Sequence, residues 1–228
     1  MQEASRDAKR EIIAKFSKLS WRPKQVLEIG CGTGILSMLM APHVDRVVAI
    51  DAAEGMIDVL KQKLLKDDAP SNILPVCVLL EDPEDRSLPP ADDSKPDGPR
   101  QKFDLITSHL VLHHIPDLKA VLTTMLGCLT PGGRVMLTDF EDFGPEAKRF
   151  HPASKLDGVE RHGINVEAMT KMMAEVGFVN VSCKPEWTMV KSVEKFDGEF
   201  GDEGKPGGEG QGENMDFPFL ICYGERAS

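Results

Sequence analysis

The sequence predicts an α/β fold: a mainly parallel sheet covered by helices on both faces, with an antiparallel hairpin at its edge. Three observations lead there. Short apolar runs of strand length alternate with segments of helical periodicity. The first run passes directly into Gly30-Cys31-Gly32-Thr33-Gly34, which reads as a strand-to-helix turn. Near the C-terminus, strand-like runs at 178–183 and 217–223 are joined by a loop without helical periodicity, as a hairpin requires.

The elements follow in order. Residues 3–19 place Ala8, Ile12, Ile13, Phe16 and Leu19 at helical spacing, and Pro23 ends that helix. A buried strand is expected over 26–29, a helix over 35–40, and a second strand over 46–50 that ends on Asp51. Met56, Ile57, Leu60 and Leu64 share one side of a helix over 54–66, and 73–80 is β-like. The Pro- and Asp-rich stretch that follows, about 83–102, reads as a flexible surface loop. A fourth strand over 103–107 and a helix over 118–129 come next. Thr130-Pro131-Gly132-Gly133 supplies a stop and a turn before the fifth strand, 134–138. A helix over 166–176 is closed by Gly177. The Gly-, Glu- and Asp-rich stretch 197–216 has little to bury and is expected to be a flexible loop.

Composition sets the outer limits. A chain of 228 residues, 41% hydrophobic and 28% charged, suits one globular domain, 1–228. Apolar stretches such as 35–41 fall far short of the ~20 residues that span a bilayer. The start, MQEASRDAKR, has no apolar signal core, so a cytoplasmic protein without membrane contact is expected. A net charge of −10 opposes binding to nucleic acid. Five scattered cysteines, odd in number and never in a C-x-x-C pair, imply neither a disulfide framework nor a zinc site; reduced thiols and no metal are expected.

The segment Val26-Leu27-Glu28-Ile29-Gly30-Cys31-Gly32-Thr33-Gly34 carries the functional signal. A dinucleotide fingerprint in the frame of Gly30 would need Gly or Ala at Ile35, and in the frame of Gly32 at Ser37. Neither fits. Glu28, two residues before the first glycine, would repel a pyrophosphate yet suits an ammonium or sulfonium group; its plainer reading is a strand-end acid held by backbone amides. Asp51, 17 residues after Gly34, stands where an acid can accept from both ribose hydroxyls, or else caps the next helix.

VLEIGCGTG at 26–34, VVAID at 47–51, FDLITSHLVLHHIPD at 103–117 and LTPGGRVMLTD at 129–139 together resemble the class I S-adenosylmethionine-dependent methyltransferases, in particular the group acting on small molecules. The likeness runs over roughly residues 26 to 139. It implies a Rossmann-like, seven-stranded sheet whose last two strands are the hairpin. It also implies that Glu28, Gly30, Cys31, Gly32 and Gly34 hold the methionine part of S-adenosyl-L-methionine. Asp51 and Ala52 would meet the ribose, and Met56 would pack on adenine or serve as core. Either Glu81 or Asp82 would accept from the adenine amine; Pro83 has no N–H to offer a ring nitrogen beyond Asp82, which favours Glu81. Ser108, His109 and His113 would lie near the amino end of the cofactor.

The acceptor side has no obligatory side chain, because methyl transfer from a sulfonium needs mainly positioning and shielding from water. Of His113 and His114, one is expected to face the cleft while the other packs or is solvated. His151 and His162, in the irregular segment after the fifth strand, are candidates for a catalytic base or for loop residues that shape the pocket; Asp139 and Glu141 are further candidates. The 25 residues ahead of the first motif point to a modest, partly open acceptor pocket. The expected function is methyl transfer to a small-molecule acceptor. The alternatives are a catalytically silent cofactor-binding regulator of the same fold and a nicotinamide-dependent oxidoreductase.

Overall fold

The computed structural model describes residues 14, 22–202, 204–206 and 212–228. The helix expected over 3–19, apart from Ala14, and part of the loop expected over 197–216 lie outside the described residues. The elements are β1 (Gln25–Ile29), α1 (Ile35–Met40), β2 (Arg46–Asp51), α2 (Glu54–Leu64), β3 (Ile73–Cys77), β4 (Phe103–His109), α3 (Leu118–Cys128), β5 (Leu129–Phe140), α4 (Val166–Val176), β6 (Val179–Val193) and β7 (Glu213–Glu225). They form one seven-stranded sheet in the order β3-β2-β1-β4-β5-β7-β6. The first five strands run parallel, and β7 pairs antiparallel with both β5 and β6. This is the expected architecture, hairpin included.

The parallel strands are apolar because both of their faces are covered. Val26, Leu27, Val47, Val48, Leu105 and Ile106 are at most 1% exposed. One face packs on α3 and α4 through Leu122, Met125, Met169 and Met173, the other on α1 and α2 through Leu36, Met40, Ile57 and Leu60. The methionines of α4 are therefore core. Helix ends follow local chemistry. Asp117 and Asn165 accept from the backbone N–H groups of Ala120 and Ala168, and Gly177 ends α4 in a left-handed conformation.

Three boundaries differ from expectation. β6 runs on through Pro185 to Val193, where only a short strand was expected. It is an edge strand, and a register irregularity between Pro185 and Trp187 absorbs the missing N–H. β7 correspondingly begins at Glu213, shortening the loop expected to reach residue 216. β5 begins at Leu129: Leu129 pairs with Phe103 and Arg134 with Leu105, so 130–133 bulge out within the strand.

The connection before β4 has no helix of its own but is tied down. Arg100 is buried and its guanidinium donates to the carbonyls of Leu88 and Pro96 (3.2 and 2.6 Å), while Glu84 accepts from its backbone N–H (2.7 Å). Among the described residues, no helix is long and apolar enough to cross a membrane.

Candidate functional site

The strand order reverses between β1 and β4, and a crevice opens at the carboxyl ends of the strands there. It is a cleft of about 810 Å³, within the range of ligand sites. Register explains its walls. Glu28 lies opposite Ala49 on β2 and Thr107 on β4, and Asp51 ends β2 just beyond Ile50, the partner of Ile29. Two carboxylates thus reach the same opening from adjacent strands.

Glu28 is 2% exposed, and Ser37 Oγ donates to its Oε2 from the first turns of α1. In the frame of Gly32, Ser37 occupies the position where a dinucleotide enzyme would need Gly or Ala, so the departure from that fingerprint has a use. Asp51 accepts from the N–H of Gly32 (2.8 Å) through Oδ2 and from that of Ala53 (2.9 Å) through Oδ1. It ties the glycine loop to β2 instead of capping α2, whose N-cap is Ala53. Each oxygen keeps a lone pair for another donor. Burial, then the Glu28 and Asp51 charges, raise the Cys31 thiol far above its ordinary range. The field in the cleft is negative.

Two glycines decide the loop. Gly34 opens α1 at φ +75, and a Cβ there would stand 2.3 Å from a methyl of Leu60. Gly32 has φ +53, and a Cβ would meet nothing: the space beside its backbone is the cleft itself. That cradle tests the fit to the expected cofactor. A bare glycine backbone, two carboxylates and apolar side chains suit an adenosine ribose joined to a sulfonium and an ammonium group. They do not suit a pyrophosphate.

Glu28, Gly30, Cys31, Gly32, Asp51, Ala52, Met56, Glu81 and His109 line this cleft. Four residues expected with them do not. Gly34 packs on Leu60. Asp82 turns away to accept from the N–H of Glu84 (2.8 Å), which leaves Glu81 on the wall. Ser108 is fully buried and off the cleft wall. His113 is buried too, its Nδ1 2.8 and 2.9 Å from the two oxygens of Asp139. Its neighbour His114 is the one on the cleft. Sequence reasoning missed Leu79 and Leu110. Leu79 is 69% exposed beside Met56, 46% exposed, an apolar wall left open to a flat ligand. Leu110 holds φ +58 just after β4. No residue type in Ser-His-Leu signals such a bend, since a bulky side chain disfavours positive φ.

His151 and His162, expected on the acceptor side, lie together on a second hollow of about 330 Å³, not on the cleft. The cause is the aromatic cluster at the end of β5: Phe150 stacks on Phe140 at 4.1 Å, which draws His151 behind His113. Burial, followed by the charges of His113 and Lys191, pushes the His151 pKa down to about 3, so its ring stays neutral in any physiological medium. Asp139 is occupied by His113, and Glu141 bridges to Ile164 off the cleft.

The comparisons with known proteins agree with this geometry. The family model of the methyltransferase domain matches residues 1–183. The chain belongs to the methyltransferase-domain family. Within it, the sheet order is that of the class I methyltransferase fold. An uncharacterized methyltransferase of Schizosaccharomyces pombe is 30% identical over 141 residues, 60% of this chain and 47% of that protein. A ubiquinone biosynthesis O-methyltransferase of Coxiella burnetii is 29% identical over 121 residues, 53% of this chain and 45% of that protein. The chain therefore matches less than half the length of these curated relatives. The N-methyltransferase NodS of Bradyrhizobium japonicum, solved with S-adenosyl-L-homocysteine, superposes with a TM-score of 0.59 at 17% identity, over 99% of this chain and 88% of that one. That likeness concerns the fold.

Proposed function

We propose that this methyltransferase transfers the methyl group of S-adenosylmethionine to a small-molecule acceptor. The observation that carries the proposal is the juxtaposition of Glu28 and Asp51 across the bare backbone of Gly32 at the strand-order reversal. Glu28 attracts the cationic methionine end, and Asp51 accepts from the ribose hydroxyls. Met56 and Leu79 would pack on the adenine, and Glu81 would accept from its amine. The bound cofactor supplies an electrophilic methyl on a positively charged sulfur. What remains for the protein is to orient a nucleophilic atom in line with that methyl and to keep water out.

The acceptor end of the cleft is the wall of His109, Leu110, His114 and Ile115. His109 Nδ1 is 2.8 Å from the Thr138 hydroxyl, which itself donates to the carbonyl of Ser108 at 3.3 Å. The described wall is short and apolar apart from its two imidazoles, which supports a compact acceptor over a polymer. The similarity to proteins named as ubiquinone biosynthesis O-methyltransferase and as phosphoethanolamine N-methyltransferase supports the same class.

Calorimetry with S-adenosylhomocysteine, followed by detection of that product during incubation with S-adenosylmethionine and a panel of small phenols, amines and thiols, tests the reading. Binding together with acceptor-dependent product is expected. If nicotinamide dinucleotides bind and S-adenosylhomocysteine does not, the cofactor assignment is lost. Transfer only to protein or nucleic acid would overturn the acceptor class.

A further inference from the structure

Behind the cleft wall three histidines converge. One ring nitrogen from each of His113, His114 and His151 lies within 4.8 Å of the others. We infer that these three imidazoles form a binding site for a divalent transition metal, with zinc the ion the donor set fits best. The inference rests on the reading of the neighbouring cleft only for its place beside the acceptor; the site itself stands on its own geometry.

Hydrogen bonding assigns the donor atoms. Asp139 receives His113 Nδ1 between its two oxygens, and a carboxylate only accepts, so Nδ1 carries the proton and Nε2 the lone pair. Asp139 is itself fixed, accepting also from the backbone N–H groups of His113 (3.1 Å) and Phe140 (2.9 Å). His114 Nδ1 donates to the carbonyl of Gly158 at 2.7 Å, which turns its Nε2 into the remaining donor atom. A carboxylate behind one ring and a backbone carbonyl behind another are the supports by which metal-binding histidines are oriented.

Two nitrogens then call for a ligand. His113 Nε2 and His151 Nδ1 are buried and have no hydrogen-bond partner among the described residues, although His113 is only 2% exposed. Buried nitrogens are rarely left so unless an ion or a water meets them. The surroundings keep the rings in place. Arg161 donates to the carbonyls of Leu112, Ile115 and Pro116, clasping the turn that carries His113 and His114, and the N–H groups of Glu160 and Arg161 both reach the carbonyl of His113. Phe140 and Phe150 pack edge-on against His113.

Three imidazole nitrogens favour zinc and its neighbours over magnesium or calcium, which take oxygen ligands. Three protein ligands also leave a tetrahedral ion one open position. Because His114 also lines the cleft, the ion would stand just behind the wall at its acceptor end. The expectation of no metal rested on spacing: His113-His114 is an adjacent pair and His151 is 37 positions further on, as in no familiar metal motif.

The test uses the full chain stripped with a chelator and titrated with Zn²⁺ by calorimetry and with Co²⁺ by visible absorption. One ion per chain is expected, with ligand-field bands of four-coordinate Co²⁺. His114→Ala and His151→Ala should each lower Zn²⁺ affinity roughly 100-fold or more, and Asp139→Asn about 10–100-fold. His151→Ala and His114→Ala touch the rims of the two hollows, so circular dichroism and melting should show both variants folded. Cys77→Ser removes the exposed thiol and should change nothing. Binding that survives both histidine variants, or that vanishes with Cys77→Ser, overturns the site, as does the absence of binding in the wild type. S-adenosylhomocysteine is titrated into the same samples. If it binds and the metal does not, this inference falls alone; if the metal binds and it does not, the cofactor reading falls and the metal site stands.

Discussion

Ser37 Oγ donates to Glu28 Oε2 beneath the glycine loop, and both side chains are buried. The hydroxyl comes from α1 and the carboxylate from β1, so the bond fixes the negative group on the cleft wall while joining the two elements that flank the loop. Replacing Ser37 by Ala removes that donor and leaves Glu28 less firmly aimed. We expect Ser37→Ala to weaken S-adenosylhomocysteine binding by about 1–1.5 kcal/mol, with the fold retained. Calorimetry showing unchanged affinity would mean that Glu28 needs no orientation from α1.

Asp51 serves both loop and ligand. Asp51→Ala should weaken cofactor binding by about 1.5–3 kcal/mol, because charge-assisted hydrogen bonds are lost on both sides of the carboxylate. An affinity equal to that of the wild type would sink the assignment of the ribose to this residue.

Arg100 predicts how firmly the connection between β3 and β4 is held. Its guanidinium meets backbone carbonyls inside the segment and is 4% exposed. Arg100→Met should destabilise the chain by about 1.5–3 kcal/mol in chemical denaturation. It should also make 83–102 more readily cleaved in limited proteolysis than in the wild type. Equal cleavage of both proteins would show the tether to be ineffective.

Glu194 gives a pH signature. Its carboxylate accepts from the N–H groups of Ala153 (2.8 Å) and Phe200 (2.9 Å). Burial alone would raise its pKa, but these bonds and one from Gly198 outweigh burial and the nearby Glu199, holding it below the ordinary 4.5. A carboxyl depressed in the folded state contributes stability that is fully present above pH 4.5 and is lost as the pH falls through the folded value. Glu194→Gln should therefore cost about 1–2 kcal/mol at pH 7 and progressively less in acid. Parallel stability curves for the two proteins from pH 7 down to pH 3 would contradict this.

The fold was legible because its signals are local. A strand buried on both faces must be an apolar run, so 26–29, 46–50 and 103–107 announced themselves. Helix 166–176 was marked at its end by Gly177, while its N-cap, Asn165, came only with the structure. The boundaries that moved, at β5, β6 and β7, carry Pro or Gly, and only strand position in the sheet decides whether such residues break a strand or bend it.

The cofactor cleft was legible for the same reason: Glu28, the glycine loop and Asp51 are each tied to the end of a strand, and parallel order brings those ends together. The acceptor side depended on long-range packing. Whether His151 faces the cleft or lies behind it is set by Phe150 stacking on Phe140, a contact between a loop and a strand end that no spacing encodes. The partner of Asp139 could not be read either, since a carboxylate in a strand looks alike whether it meets substrate, solvent or His113 26 residues away. Sequence by itself determined the sheet and the cradle, because burial and backbone geometry act on neighbours along the chain. Tertiary structure alone decided which histidines meet, because an imidazole is apolar enough to pack and polar enough to bind, and its surroundings choose between the two.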